Sequence, residues 1–160
     1  MKNFKEIYTD NYKVVFRLAL KTINDNDIVS DIVQETFILL YENMQSGKVI
    51  SYPKTWLYRV TLNKCFDYIK HNKKNIKVEL TSNIPSENDS RENIKSNLIN
   101  TALSKLKPEE KSLVILYSEG LSYKELSEIT GIKFTSIGKT LSRILQKLRT
   151  ELKNKEYELF

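Results

Sequence analysis

The stretch that most constrains the fold is residues 121–149, which combine a short amphipathic pattern, a glycine and a longer amphipathic pattern. Ser122 is placed to accept from a free backbone N–H, and Glu125, three residues on, completes a capping box. Leu126 and Ile129 give the short helix one apolar face. Gly131 supplies the left-handed residue that ends it, and Ile132 plugs the corner. Thr135 or Ser136 opens the second helix, where Ile137, Leu141, Ile144, Leu145 and Leu148 recur at helical spacing. This is the pattern of a helix-turn-helix, whose second helix lies in the DNA major groove. From residue 130 to residue 150 there is no carboxylate, but there are five cations, Lys133, Lys139, Arg143, Lys147 and Arg149. A surface meeting phosphates needs that asymmetry.

A chain of 160 residues with a net charge of +6 suits an anionic partner and one or two small domains. With only Cys65 and His71, it can form neither an internal disulfide nor a Cys/His metal cluster. It has no Gly-rich phosphate loop and no nucleophile–base pair, so no catalytic site, metal or cofactor is expected. No apolar run approaches the roughly 18 residues of a membrane span, and the N-terminus lacks a secretory segment. A cytoplasmic location is therefore expected.

From the start, Phe4, Ile7, Tyr8, Tyr12, Val15, Phe16, Leu18 and Ala19 trace an amphipathic helix over residues 4–21. Asp25 or Asp27 caps a second, over 28–44, with Ile28, Ile32, Val33, Phe37, Leu40 and Tyr41 inward and Asp31, Gln34, Glu35 and Glu42 on the polar side. Pro53 opens a third, reaching His71, in which Trp56, Tyr58, Phe66 and Tyr68 interleave with Arg59, Asn63, Lys64 and Lys70. Aromatics among cations suit stacking on bases and pairing with phosphates. Trp56 and Phe66 fit the core better, while Tyr58 and Tyr68 are open between core and contact.

Residues 75–95 read as a flexible linker rich in Ser, Asn, Pro and Glu. They separate a domain at 1–74 from one at 96–160. In the second, Leu98, Ile99, Ala102, Leu103 and Leu106 form one stripe, and Leu113, Val114, Leu116 and Tyr117 another behind Pro108. Residues beyond 150 read as a short tail. The expected fold class is all-α, two small helical domains joined by the linker.

Two stretches together resemble a known family. Asp31-Ile-Val-Gln-Glu-Thr-Phe, then Pro53-Lys-Thr-Trp-Leu-Tyr-Arg-Val-Thr-Leu-Asn and Asp67-Tyr-Ile, resemble region 2 of the sigma-70 family of RNA polymerase sigma factors. Residues 106–149 resemble its region 4. Their order and the missing region between them fit the small extracytoplasmic-function (ECF) type. The resemblance implies a non-catalytic specificity subunit that brings core RNA polymerase to promoters. Asp31, Gln34 and Glu35 match the part that docks on the β′ clamp helices, and region 4 implies contact with the β flap. Tyr58, Arg59, Asn63, Lys64, Lys70, Lys73 and Lys74 match the part that captures the melted −10 strand, with Asn63 at the base pocket. Lys133, Thr135, Ser136, Lys139, Thr140 and Arg143 are the candidates for the −35 duplex. The resemblance further implies promoter DNA and an anti-sigma protein as partners, the latter able to hold the chain at a membrane.

One departure stands out. Where the family often has a cation followed by Ser-Arg in its recognition helix, this chain has Gly138, Lys139 and Thr140. With Gly138 bare, more phosphate and shape readout than direct base reading is expected. The competing reading is a stand-alone dimeric helix-turn-helix regulator. Such a protein has no need of the third helix's aromatic and basic pattern.

Overall fold

The computed structural model describes residues 2–72 and 91–158, which form seven helices and no strand. Three make the N-terminal bundle: α1 (Phe4–Thr22), α2 (Asn26–Gln45) and α3 (Pro53–His71). Four follow: α4 (Arg91–Ser104), α5 (Pro108–Ser118), α6 (Tyr123–Thr130) and α7 (Phe134–Glu158). The all-α, two-unit architecture is as expected. Only residues 75–90 of the expected linker lie outside the described residues, because α4 already begins at Arg91. The tail after residue 150 is likewise helical, since α7 continues to Glu158. Lys147 and Glu151 anchor the far half of α7, at 2.8 Å each, to Glu110 of α5 and to Lys105.

Local chemistry sets the boundaries. The Asp25 carboxylate accepts from the Asp27 and Ile28 N–H groups, so α2 starts at the first residue after that cap. Pro53 takes the first turn of α3, where its missing N–H costs nothing. The capping box at α6 forms as read from sequence: Ser122 Oγ accepts from the Glu125 N–H, and Glu125 accepts from the Ser122 N–H. Gly131 ends α6 at φ +78°, a conformation that strains any residue with a Cβ. The Ser127 hydroxyl then donates to the Ile132 carbonyl at 2.6 Å, which fixes the corner between α6 and α7.

In the N-terminal bundle, α1, α2 and α3 pack on one another around Val15, Leu18, Leu40, Leu57 and Leu62. Each such side chain contributes about 1.5–3 kcal/mol by leaving water. In the second unit, α7 packs on α4, α5 and α6 through Ile137, Leu141 and Ile144. The units also touch: α1 meets α5, and α3 meets α6. Tyr8, Tyr41, Ile99 and Tyr117, read as inward-facing, are exposed, while Val29 and Ile115 are buried instead.

Cys65 is fully buried, and that burial pushes its thiol up from 9.0 to about 12. A raised thiol pKa favours the folded state fully below pH 9, and the contribution fades as pH rises towards 12. At pH 8 the native protein should therefore resist Ellman's reagent, with labelling as slow as unfolding, and react at once in urea. Fast labelling without denaturant would mean that the bundle opens locally around α3.

Candidate nucleic-acid interface

Three surfaces carry the sequence candidates. On α2, Asp31, Gln34 and Glu35 are all exposed and share one face by their three- and four-residue spacing. Asp31 and Glu35 border a groove of about 390 Å³ between α2 and α3, closed on the other side by Lys64, Asp67 and Tyr68. Glu35 and Lys64 form an ion pair across it at 3.3 Å. A residue expected to meet protein thus holds one expected to meet DNA.

On the far side of Gln34 lies an apolar groove that the sequence did not reveal. Phe4, Tyr8, Phe37, Ile38 and Tyr41 line it, and Ile38 is more than half exposed. The rings form a ladder, with Phe4 against Tyr41 edge-on at 5.2 Å and Tyr8 against Phe37 at 4.8 Å. Ile38 lies outside the inward stripe read for α2, and stripe reasoning treats Phe4, Tyr8 and Tyr41 as core. Nothing in their spacing says that the ladder's outer edge is open.

The second surface is a cleft of about 500 Å³ between residues 48–52 and the start of α3. Lys48, Tyr52, Trp56 and Arg59 line it, with Asn43 at its back. Tyr52 is largely exposed and Trp56 half-buried, so a flat aromatic group could enter between them. Further along α3, Asn63 and Lys70 are exposed. Lys73 and Lys74 lie outside the described residues. Glu128 of α6 also edges the cleft.

Tyr58 is placed differently from its neighbours. It is 1% exposed, and its hydroxyl has no hydrogen-bond partner among the described residues. Its phenol is pushed up to about 12, first by burial and then by the carboxylate of Glu119, with Arg17 opposing and Glu125 adding. Glu119 and Glu125 belong to the second unit. Arg17 of α1 grips Glu119 through two hydrogen bonds, 3.0 Å from Nε and 2.7 Å from Nη2. In this arrangement the Tyr58 ring is covered and cannot stack on a base.

The third surface is the start of α7. Lys133, Thr135, Lys139 and Arg143 are exposed, Ser136 and Thr140 half-buried. Ile137, Leu141 and Ile144 face inward and hold the outer side of the helix to solvent.

Two family profiles match the chain, Sigma-70 region 2 over residues 7–75 and Sigma-70 region 4 over residues 96–148. The chain is 30% identical over 147 residues to the RNA polymerase sigma factor SigZ of Bacillus subtilis, spanning 84% of this chain and 81% of that protein. It is 29% identical to the ECF RNA polymerase sigma factor SigM of the same organism, over 90% of this chain and 91% of SigM. This chain belongs to the sigma-70 family, as an ECF-type RNA polymerase sigma factor. Identity to ECF SigE of Mycolicibacterium smegmatis is also 29%, but the match spans only 62% of that longer protein. The fold resembles that of the sigma factor RpoE from Bartonella quintana, solved with the anti-sigma factor NepR, with a TM-score of 0.76 at 21% identity. That match covers 96% of this chain and 98% of RpoE. CnrH, solved with the cytosolic domain of CnrY, matches at a TM-score of 0.69 and 18% identity, over 94% of this chain and 88% of CnrH. The sigma factor therefore acts as a promoter-specificity subunit of RNA polymerase, and membership of this family does not favour a stand-alone dimeric regulator.

The junction between the two units yields a direct test. Arg17→Glu sets two carboxylates against each other and should separate the units, raising the radius of gyration measured by small-angle X-ray scattering. Adding Glu119→Arg to make the swapped pair should restore the compact value. If Arg17→Glu leaves the radius unchanged, the ion pair does not hold the units together.

Proposed function

We propose that this sigma factor captures one strand of the melted −10 element in the cleft between residues 48–52 and α3, and reads the −35 duplex with the start of α7. The observation that carries this reading is the cleft itself. It has room for a planar base, aromatic walls in Tyr52 and Trp56, and cations at its mouth in Lys48 and Arg59. Pulling a base from the stack costs a few kcal/mol, and stacking on an aromatic side chain returns about 1–3 kcal/mol. Asn63, exposed on the same helix, presents an amide able both to donate to and to accept from a base edge. Lys64 and Lys70 supply charge for the adjacent phosphates, and Lys73 and Lys74 extend the same run in sequence.

Asp31, Gln34 and Glu35 form the docking face for the β′ clamp helices of core polymerase, with the apolar groove beside Gln34 as its hydrophobic part. A charged rim beside a desolvated aromatic patch is the usual anatomy of a protein interface. The second unit docks on the β flap. An anti-sigma protein is the further partner proposed, by analogy with the two complexes of similar fold, and the protein works in the cytoplasm, free or held at the membrane by that partner. Glu128 at the edge of the cleft repels an entering strand, so the units separate when core and promoter bind.

Run-off transcription with purified core and genomic fragments tests the reading as a whole: specific start sites should appear only when this protein is added. Asp31→Arg with Glu35→Arg should weaken binding to core by about tenfold or more while leaving the helical signal intact, since exposed charge changes rarely unfold a domain. Unchanged affinity for core would rule out the α2 face. Asn63→Ala should slow open-complex formation, measured by permanganate reactivity of unpaired thymines, by about tenfold, the worth of one amide–base contact. Core binding should stay as before, and an equal loss in both assays would make Asn63 structural.

A further inference from the structure

The start of α7 exposes a large apolar side chain that the duplex-reading role leaves unexplained. Phe134, the first residue of the helix, is 59% exposed. Its neighbours on the outer side are Lys133, Thr135 and Lys139, all exposed. One turn along on the same side comes Gly138, which carries no side chain. The space above that glycine is bounded by Tyr123, whose Cε2 lies 3.6 Å from where a Cβ would sit. Tyr123 opens α6 and is itself 43% exposed. The outer face of the helix-turn-helix thus has two half-exposed aromatic residues around a bare stretch of backbone, in a surface otherwise made of cations and hydroxyls.

An exposed phenylalanine is common enough alone, but its position matters here. Residues at the start of such a helix are those that reach base edges. The major groove offers one apolar group to meet them, the C5-methyl of thymine. A lysine or arginine at position 138 would occupy this space and turn the surface towards guanine. Glycine leaves the space apolar and lets Tyr123 close over it.

We propose that Phe134, with Tyr123 packed over Gly138, is a specificity-determining surface that reads thymine methyl groups in the upstream promoter duplex. This rests on the duplex-reading role assigned to α7 above. It reverses the expectation that a bare Gly138 leaves mainly phosphate and shape readout. Lys133, Lys139 and Arg143 hold the phosphates, and the aromatic pair supplies the base discrimination.

The test uses full-length protein with core polymerase and a promoter fragment enriched by that holoenzyme from a random-sequence pool. Each thymine of the upstream element is replaced in turn by deoxyuridine, which lacks only the methyl group. At one or two positions the replacement should weaken binding about four-fold, the worth of one buried methyl. Phe134→Ala should weaken binding to the thymine duplex by a similar factor and abolish the deoxyuridine penalty at those positions. Phe134→Leu should keep part of the penalty. Since Phe134 is largely exposed, the melting temperature of the variants should match that of the parent, and a matched value ties the effect to the contact. Enrichment of a fragment without any methyl penalty, or a Phe134→Ala defect equal on both duplexes, overturns this inference and leaves the duplex-reading role intact. Failure to enrich any upstream element overturns that role along with it.

Discussion

Helix α3 has to satisfy three neighbours, α1, α2 and α6, with the same 19 residues. Leu57, Leu62 and Cys65 are spent on the bundle with α1 and α2. Arg59, Asn63 and Lys70 stay on the outside. Tyr58 falls between these sets, in the part of α3 that faces the second unit. A helix of this kind cannot shift or rotate to improve one contact without spoiling another, so its register sets the shape of the cleft at residues 48–52 and the seat on which α6 rests.

That seat is a weak one by its chemistry. Arg17 and Glu119 have good two-pronged geometry, but Arg17 is half exposed, and exposed ion pairs contribute about 0–1 kcal/mol. Against this stands the Tyr58 hydroxyl, buried with no partner among the described residues, a loss on the order of 1–3 kcal/mol. Beside that ion pair, the compact arrangement rests on the packing of α1 against α5 and of α3 against α6, with its polar groups near balance. A junction balanced in this way can yield to a partner that offers a better surface, which is what the proposed engagement of core polymerase and two promoter elements would ask of it.

The features legible in the sequence were those settled within one or two turns. The caps at Asp25 and Ser122, the proline starts of α3 and α5, and the left-handed Gly131 all came from local chemistry and all stand in the structure. What sequence could not supply was the outcome of distant contacts. Tyr58 and Tyr68 have the same residue type on the same helix, yet one is sealed and the other half-exposed, a difference that type and spacing do not carry. Tyr8 and Tyr41 fit an apolar period, and only the facing helix decides that they line an open groove. Ile38 falls off the stripe, so apolar periodicity does not single it out. Residue type points to polar side chains for DNA contact in the same way, and neither Phe134 nor Tyr123 answers to that description.

Gly138 shows why that preference misleads. A glycine inside a helix costs about 1 kcal/mol relative to alanine. Alanine would fit sterically here, since the added Cβ would meet Tyr123 at an ordinary contact distance of 3.6 Å. Neither backbone strain nor crowding requires the glycine. A longer side chain is a different matter, because it would have to displace the Tyr123 ring from the outer face of the helix. Under the proposed duplex-reading role, the residue type at 138 would decide which element presents the surface. A long cation there would leave α7 to read alone. With no side chain, α6 can add Tyr123 to a surface that begins at Phe134, so that two helices would share one groove.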